Sequence, residues 1–217
     1  MLWYASRVPS KPRSEMELAE LTARTLAHYE ASAASFAAGT ANHDVSQNYA
    51  ALLSAITGKP PFRILDLGCG PGRDLAWFKL QGHEPVGLDG STAFVEMARK
   101  ATGCTVLHQN FLSLDLPRAA FDGVFANASL FHVPVQELPR VLRQLHDTLV
   151  PGGVLFCSNP RGQDTEQLNG ERFGAFHTLE SWRVYVEAAG FAEIQHYYRP
   201  AGLPRNEQPW LASVWRS

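Results

Sequence analysis

The chain has 217 residues, of which 45% are hydrophobic, and this is enough for one domain with a substantial core. Its formal net charge is −2, and it has no run of lysine and arginine, so nucleic acid is not expected as a partner. It shows neither an apolar stretch of about 18 residues nor a signal-peptide pattern, so no membrane partner is expected.

Cysteine usage bears on the cellular compartment and on metal binding. Cys69, Cys104 and Cys157 are odd in number, and their spacing fits no metal motif. Reduced thiols packed in a core are the expected state, which is typical of a cytoplasmic protein. We therefore predict a cytoplasmic protein with no bound metal and a small molecule as its partner, while the oligomeric state stays open.

The first 60 residues are predicted to form a helical segment ahead of the main sheet. Residues 1–14 contain prolines and little hydrophobic pattern, so a flexible lead-in is expected. Apolar residues at helical spacing predict a helix over 16–37. A polar turn at 42–49 leads into a second helix through Ile56, where glycine and prolines stop it.

Strand and helix patterns alternate through residues 61–217, the predicted core of one domain spanning 1–217. This alternation predicts an α/β fold with a parallel sheet and helices on both faces. No long helix separates the last two strands, so they are expected to pair antiparallel at one edge. The predicted strands are at 62–67, 84–88, 104–108, 121–126, 153–158, 191–197 and 210–215. One predicted helix follows the first strand and ends at about residue 81, and the others span 91–101, 135–149 and 178–189.

The segment ILDLGCGPGRD, residues 64–74, places three glycines between the first strand and the next helix. Gly68 permits a tight turn, Gly70 lets backbone approach a ligand, and Gly72 allows close packing at the helix start. The helix N-terminus adds free N–H groups beyond the carboxyl end of the strand. Several folds share such a turn, so its neighbours must decide which ligand it holds.

Four neighbouring side chains narrow the choice of ligand. Asp66 lies two residues before the first glycine, where it would repel a pyrophosphate and favour an ammonium group. Asp89 ends the second strand, where a carboxylate can bind two ribose hydroxyls. Asn110 and Phe111 follow the third strand, where an adenine ring can be bonded at its edge and stacked. Helix caps and turns are the structural alternatives for the three polar residues.

These motifs together resemble the class I S-adenosylmethionine-dependent methyltransferases. The similarity covers residues 25–217 and comprises ILDLGCGPGRD, GLDGS, QNF, FDGVFANASLFHV and LVPGGVLF in the expected order. It implies a doubly wound Rossmann-like sheet of seven strands in the order 3-2-1-4-5-7-6, with the last strand antiparallel and the N-terminal helices as a lid. It also implies S-adenosylmethionine as cofactor and S-adenosylhomocysteine as its product.

The resemblance further implies roles in cofactor binding for individual residues. The glycines would line the methionine part, Asp66 would orient its amino group and Asp89 would hold the ribose. Asn110 stands where the family commonly has Asp, and its carbonyl can still accept the adenine amino hydrogen. The implied cofactor-binding residues are Tyr29, Asp66, Gly68, Gly70, Gly72, Arg73, Asp89, Gly90, Ser91, Asn110, Phe111 and Asn127.

Four further stretches are similar to the methyltransferase of ovothiol biosynthesis, often the C-terminal domain of 5-histidylcysteine sulfoxide synthase, and to a stand-alone relative that leads to ovoselenol. They are HYEASAASFAAGTANHDVSQNYAALL, FANASLFHVPVQELPRVLRQLH, SNPRG and HYYRPAGLPRNEQPWLASVWR. The resemblance implies methylation of the π nitrogen of a histidine imidazole that carries sulfur or selenium on C5. The choice between sulfur and selenium stays open.

Methyl transfer to an imidazole is an in-line displacement by a nitrogen lone pair. The site must therefore align the reactants, exclude water and keep the nucleophile unprotonated. A nearby base or hydrogen-bond acceptor helps by holding the reactive tautomer. His132, past the fourth strand, and His177, before a late helix, are the candidates, with Asn159 as a further polar group. Structural packing is the alternative for each histidine.

A histidine-derived substrate also carries a carboxylate and an ammonium group, which need partners when buried. Arg161 or Arg205 is predicted to bind the carboxylate, with a plain surface position as the alternative. The N-terminal segment contributes polar candidates, although a capped helix start also explains part of that pattern. The other predicted substrate contacts are Asp44, Gln47, Asn48, Tyr49, Phe131, Tyr197 and Tyr198.

Other functions stay open from the sequence. The same fold can methylate another small molecule, such as a phenol, a carboxylate or an amine. A catalytically silent cofactor-binding subunit is disfavoured because Asp66, Asp89 and the glycines are all intact. A nicotinamide oxidoreductase is disfavoured by the spacing from Asp66 to the glycines and by the pair of strands at the end of the chain.

Overall fold

A computed structural model of the chain describes residues 12–217. The predicted flexible lead-in, residues 1–14, falls almost wholly outside the described residues. The helices in the described part are α1 (Glu15–Thr40), α2 (Ser46–Ala55), α3 (Arg73–Leu80), α4 (Thr92–Thr102), α5 (Leu138–Thr148) and α6 (Leu179–Ala188). The strands there are β1 (Arg63–Leu67), β2 (Glu84–Asp89), β3 (Val106–His108), β4 (Phe121–Asn127), β5 (Leu149–Pro160), β6 (Thr165–Asn169), β7 (Arg172–Phe176), β8 (Ala192–Arg199) and β9 (Trp210–Arg216).

The main sheet has the strand order β3-β2-β1-β4-β5-β9-β8. Strands β1 to β5 run parallel, whereas β9 is antiparallel to both β5 and β8. With β6 and β7 left out of the numbering, this is the predicted order 3-2-1-4-5-7-6, so the doubly wound Rossmann-like fold is confirmed. The strand order reverses between β1 and β4, and a ligand site is expected beyond their carboxyl ends.

Strands β6 and β7 form a separate antiparallel hairpin, from Thr165 opposite Phe176 to Asn169 opposite Arg172. The sequence pattern does not predict this hairpin. Strand β6 is mostly exposed and lacks the alternation of apolar and polar side chains that marks a half-buried strand. The hairpin packs against α1 and against a short 3₁₀ turn, Leu130–His132, that follows β4.

Helices cover both faces of the sheet, and alternate side chains of β1 pack into the hydrophobic clusters on opposite faces. Ile64 joins the hydrophobic cluster that includes Leu52 of α2, whereas Leu65 and Leu67 join the cluster formed with α5 and α6. Helix α2 is therefore part of the core layer as well as a neighbour of the site. No helix between residues 12 and 217 has both the length and the apolar character that crossing a bilayer requires.

Gly72, at the start of α3, fixes the distance between α3 and α4. It has a φ of 93°, and a Cβ there would lie 2.9 Å from the Ala98 Cα atom. Gly82 has a similar φ of 83° but no atom within 4 Å of a built Cβ, so it is a matched control. We expect Gly72→Ala to lower the free energy of unfolding by about 3 kcal/mol and Gly82→Ala by about 1 kcal/mol. Urea unfolding measures both, and equal losses would contradict the close helix contact.

Candidate active site

A cavity of about 920 Å³ lies beyond the carboxyl ends of β1, β2 and β4. Its walls come from the glycine turn, the loops after β2, β3 and β4, helix α1, the start of α2, Arg172 of the hairpin and the loop before β9. This volume lies at the upper end of the range for small-molecule sites, so it can hold a cofactor and a small substrate together.

The glycine turn shapes one side of this cavity. A Cβ on Gly68 would lie 2.6 Å from the Ser129 Cβ atom, so only glycine lets the turns after β1 and β4 meet. A Cβ on Gly70 would meet only Phe36, at 3.9 Å, so backbone there faces open space. Gly72 does not line the cavity, and it serves the packing of α3 on α4 instead.

Asp89 is fixed beside the glycine turn by backbone donors. Its Oδ2 atom accepts a hydrogen bond from the Gly70 amide and its Oδ1 atom one from the Ser91 amide, each at 2.9 Å. Burial raises the pKa of Asp89, and these backbone bonds offset part of that effect. Gly90 also lines the cavity, whereas Ser91 caps α4 by accepting from the Phe94 amide and does not.

Asp66 lies under the glycine turn and is 1% exposed. Its Oδ2 atom has no hydrogen-bond partner among residues 12–217. Burial and then the neighbouring Asp74 raise the pKa of Asp66 well above the usual range, while Arg73 opposes the shift. Asp66 itself does not line the cavity, and its unpartnered oxygen lies beneath the glycine turn that does. The open backbone at Gly70 and the fixed Asp89 carboxylate, which both line the cavity, fit an adenosyl amino-acid cofactor.

Asn110 and Phe111 both line the cavity at the end of β3. The Asn110 Oδ1 atom already accepts a hydrogen bond of 2.8 Å from the Leu112 amide, which leaves one lone pair for a ligand. The Phe111 ring reaches within 3.3 Å of the position of a Cβ on Gly68. Both positions are compatible with an adenine ring held at its edge and stacked.

Arg73 and Asp74 form a partly buried ion pair at the first turn of α3. Arg73 donates to both Asp74 carboxylate oxygens, at 2.7 and 3.0 Å, and to the Thr40 carbonyl at 3.0 Å. The Tyr49 hydroxyl donates to Asp74 at 2.6 Å, and burial raises the pKa of this phenol. Arg73 lines the cavity, whereas Tyr49 stacks on Trp77 and does not.

A second chain of hydrogen bonds joins α2 to β4 and β8. The Asn48 side-chain amide donates to the Asn127 Oδ1 atom at 2.9 Å, and the Tyr197 hydroxyl donates to the Asn48 Oδ1 atom at 2.9 Å. Of these three, Asn127 lines the cavity. Asn48, Tyr49 and Tyr197, which were predicted to contact the substrate, do not line the cavity, and their hydrogen bonds anchor α2 beside it.

His132 lies in the cavity wall with both ring nitrogens engaged. Its Nδ1 atom is 2.6 Å from the Phe173 carbonyl oxygen, and its Nε2 atom is 2.8 Å from the Tyr29 hydroxyl oxygen. A carbonyl can only accept, so Nδ1 carries the hydrogen and Nε2 accepts from the Tyr29 O–H. Burial lowers the pKa of His132 to about 4, so the ring is neutral at physiological pH.

The contact with His132 fixes the direction of the Tyr29 O–H bond. Its hydrogen is donated to His132, so towards the cavity this oxygen can offer a lone pair. Burial raises the pKa of Tyr29, and a hydrogen bond and the charge of Arg172 oppose part of that shift, so the phenol stays protonated near neutral pH. The adjoining wall is aromatic, with Phe36, Phe94 and Phe131 lining the cavity, and such a wall limits access of water.

Two of the predicted catalytic residues lie outside the cavity lining. His177 is 5% exposed and packs between the rings of Trp182 and Tyr185, at centroid distances of 5.7 and 5.5 Å. Burial lowers its pKa. Asn159 is 4% exposed in the sheet opposite Leu211. Both side chains are enclosed by the core, and neither of them lines the cavity.

The arginines predicted to bind a carboxylate also lie elsewhere. Arg161 donates from Nη1 to the carbonyls of Arg205 and Gln208, at 2.7 and 2.8 Å. The guanidinium carbons of Arg161 and Arg205 lie 4.9 and 3.2 Å from the centre of the Tyr198 ring. This stack braces the loop before β9, and none of its three members lines the cavity.

Two arginines that the sequence did not single out line the cavity instead. They are Arg172 at the start of β7 and Arg199 at the end of β8. Arg199 donates to the Asp44 carbonyl at 2.6 Å, and Asp44 and Gln47 both line the cavity, as their predicted roles require. The position of Arg199 at a strand end was a usable signal, whereas Arg172 needed the unpredicted hairpin. Residues 12–217 hold no group of three or more acidic, cysteine or histidine side chains arranged for a metal.

Comparison with known proteins identifies this region. Residues 64–153 match the family described as "Methyltransferase domain". Sterol 24-C-methyltransferase of Yarrowia lipolytica is 31% identical over 202 residues, covering 77% of this chain and 51% of that protein. A trans-aconitate 2-methyltransferase of an Azoarcus species is 36% identical over 105 residues, covering 46% of this chain and 40% of that protein. The chain spans about half the length of the curated relatives it matches.

A solved structure has a similar fold over nearly the whole chain. It is the 1,6-didemethyltoxoflavin-N1-methyltransferase of Burkholderia thailandensis with bound 1,6-didemethyltoxoflavin and S-adenosylhomocysteine. The TM-score is 0.76 at 23% identity, and the alignment covers 97% of this chain and 93% of that one. The match of residues 64–153 to a methyltransferase domain supports the predicted S-adenosylmethionine-dependent methyltransferase, and the structural similarity confirms the predicted fold.

Asp89→Ala tests the cofactor part of the cavity. The carboxylate is held rigidly beside the turn, and loss of its charge-assisted bonds is expected to weaken S-adenosylhomocysteine binding by about 10- to 100-fold. Isothermal titration calorimetry measures the affinity. Asp115→Ala is the control, because Asp115 is exposed and does not line the cavity. An unchanged affinity in Asp89→Ala would rule out this assignment.

His132 predicts a pH dependence of stability. Its folded pKa of about 4 lies below the ordinary value of 6.5, so the unfolded chain binds more protons between these pH values. Stability therefore falls as pH drops from about 6.5 to 4, by about 3 kcal/mol from this group. We expect His132→Gln to remove this fall in stability with pH. His43 is exposed, so His43→Gln is expected to keep the wild-type pH dependence. Urea unfolding at several pH values measures the slopes, and identical ones in wild type and His132→Gln would refute the buried neutral ring.

Proposed function

We propose that this chain, whose residues 64–153 match a methyltransferase domain, methylates a ring nitrogen of a small histidine-derived amino acid. The proposed substrate is 5-thiohistidine or 5-selenohistidine, the acceptor is the imidazole π nitrogen, and the product is ovothiol or ovoselenol. The observation that carries the proposal is the neutral His132–Tyr29 pair, which turns a fixed hydrogen-bond acceptor towards a partly aromatic cavity beside the cofactor turn.

The chain of donors explains how the reactive tautomer is selected. His132 donates to the Phe173 carbonyl, Tyr29 donates to His132, and the Tyr29 oxygen then accepts from a ring N–H of the substrate. An imidazole that donates from its τ nitrogen keeps the lone pair on its π nitrogen. Tyr29 is thus assigned to the substrate rather than to the cofactor, and His132 acts through Tyr29 as a positioning residue.

The reaction itself needs little covalent chemistry from the protein. The π nitrogen forms a bond to the methyl carbon while the bond from that carbon to the cofactor sulfonium breaks, leaving a thioether. The substrate's thiol or selenol proton, or the equivalent ring proton, is released to solvent. S-Adenosylmethionine supplies the electrophilic methyl group, and the chain's own residues align the ring, hold its tautomer and limit water.

Two further observations support the substrate class. Four stretches of the sequence are similar to the methyltransferase of ovothiol biosynthesis. The similar enzyme of Burkholderia thailandensis is an N1-methyltransferase that holds a heterocyclic substrate in the same fold, which favours a ring nitrogen as the acceptor. Of the predicted substrate contacts, we propose Asp44, Gln47 and Phe131 as binding residues because they line the cavity.

Mass spectrometry of 5-thiohistidine incubated with the protein and S-adenosylmethionine tests this function, with histidine as the parallel substrate. We expect one methyl group on 5-thiohistidine and none on histidine, and NMR then places the methyl on the π nitrogen. Bound S-adenosylhomocysteine without methyl transfer to either the sulfur or the selenium compound would reject the substrate.

Tyr29→Phe in the same assay tests the mechanism. Loss of the acceptor oxygen is expected to lower kcat by about 100-fold while cofactor affinity is retained. Tyr185→Phe is the matched control, because Tyr185 packs on His177 away from the cavity. A kcat in Tyr29→Phe equal to that of the control would remove Tyr29 from the mechanism.

A further inference from the structure

Arg172 places in the cavity wall a positive charge that forms no ion pair with an acid among residues 12–217. Its side chain also bonds the Tyr29 hydroxyl, and this contact opposes the burial that raises the pKa of Tyr29. Arg172 is the first residue of β7, and its side chain is part of the cavity wall. Its guanidinium carbon lies 6.0 Å from the centre of the Tyr29 ring. After burial, which dominates, the charge of Arg172 further lowers the pKa of His132. The guanidinium therefore lies next to the pair that is proposed to hold the substrate ring.

The acidic residues nearest to Arg172 in the chain are engaged with other arginines. Glu166 of β6 pairs with Arg13 at 2.6 Å, and Glu171, the preceding residue, pairs with Arg24 at 2.8 Å. Among residues 12–217, no carboxylate forms an ion pair with Arg172. A partly buried guanidinium without a counter-ion is costly, so a ligand that supplies an anion gains from binding there.

The other two arginines in the cavity wall differ from Arg172 in this respect. Arg73 is held by two hydrogen bonds to the Asp74 carboxylate. Arg199 donates to the Asp44 carbonyl, and its charge contributes to lowering the pKa of the Asp44 carboxyl after the larger effect of Ser46. Of the three, Arg172 is the arginine that lies beside Tyr29. No acidic side chain in the described part of the chain forms an ion pair with it.

We propose that Arg172 binds the carboxylate of the substrate and makes the enzyme specific for amino acids over the corresponding amines. This inference rests on the proposed function. A guanidinium fork matches both oxygens of a carboxylate, so the contact fixes orientation as well as charge. A substrate held at its ring by Tyr29 and at its carboxylate by Arg172 has two fixed points. An amine without the carboxylate leaves the guanidinium unpaired, and the site rejects it for that reason.

The test compares 5-thiohistidine with its decarboxylated analogue, 5-thiohistamine. We expect Arg172→Met to lower kcat/KM for the amino acid by about 100-fold, mainly by raising KM. For the amine, kcat/KM is expected to stay within about threefold of the wild-type value. Arg172→Lys is expected to restore part of the preference. Arg24→Met is the matched control, because Arg24 pairs with Glu171 of the same hairpin but does not line the cavity. Equal losses for both compounds, or none, would overturn the assignment.

A binding assay separates this inference from the proposed function. Thermal melting of the protein with S-adenosylhomocysteine is followed with imidazole-4-propionate and with histamine as probes. Stabilisation by the carboxylate alone, lost in Arg172→Met and kept in Arg24→Met, supports the anion site even if no methyl transfer is found. Equal stabilisation of wild type and Arg172→Met, or no stabilisation of the wild type, counts against it even if 5-thiohistidine is methylated.

Discussion

The arrangement of the site depends on one partly buried imidazole in the cavity wall. His132 donates to the backbone of the hairpin through Nδ1 and accepts from α1 through Nε2, so three separate parts of the fold meet at this ring. Because burial keeps the ring neutral, its tautomer is set by the Phe173 carbonyl. The direction of the Tyr29 hydroxyl follows from that tautomer, and the acceptor offered to the cavity follows from Tyr29.

The cofactor side is held by a second, independent set of contacts. Asp74 joins Arg73 and Tyr49, while Asn127 joins Asn48 of α2. Helix α2 is thus tied by hydrogen bonds to the start of α3 and the end of β4, and by its apolar face to the sheet. This leaves α1 and the hairpin to close the substrate side, where the proposed specificity resides.

The fold and the cofactor turn could be predicted from the sequence because their signals are local. The strand alternation, the three glycines, Asp66 and Asp89 each lie within a few residues of the element that they define. The position of His132 after β4 was predictable for the same reason. The class of enzyme followed from these motifs, and the family match bears it out.

Side-chain direction and long-range pairing could not be predicted in this way. His177 and Arg161 lie near strand ends in the sequence, but the first turns into the core and the second onto the surface stack with Tyr198. Arg172 was missed because β6 has no apolar alternation to indicate the hairpin. The proposed carboxylate site lies between a hairpin and a helix that are far apart in the chain, and such a site leaves no periodic signal.

The most direct measurement is an NMR titration of the His132 imidazole, with ¹⁵N-labelled histidine and His132→Gln for assignment. We predict a neutral ring with its hydrogen on Nδ1 throughout the neutral range and a pKa of about 4. A ring that titrates near 6.5, or that carries its hydrogen on Nε2, would leave Tyr29 without its fixed direction and would contradict the proposed control of the substrate tautomer.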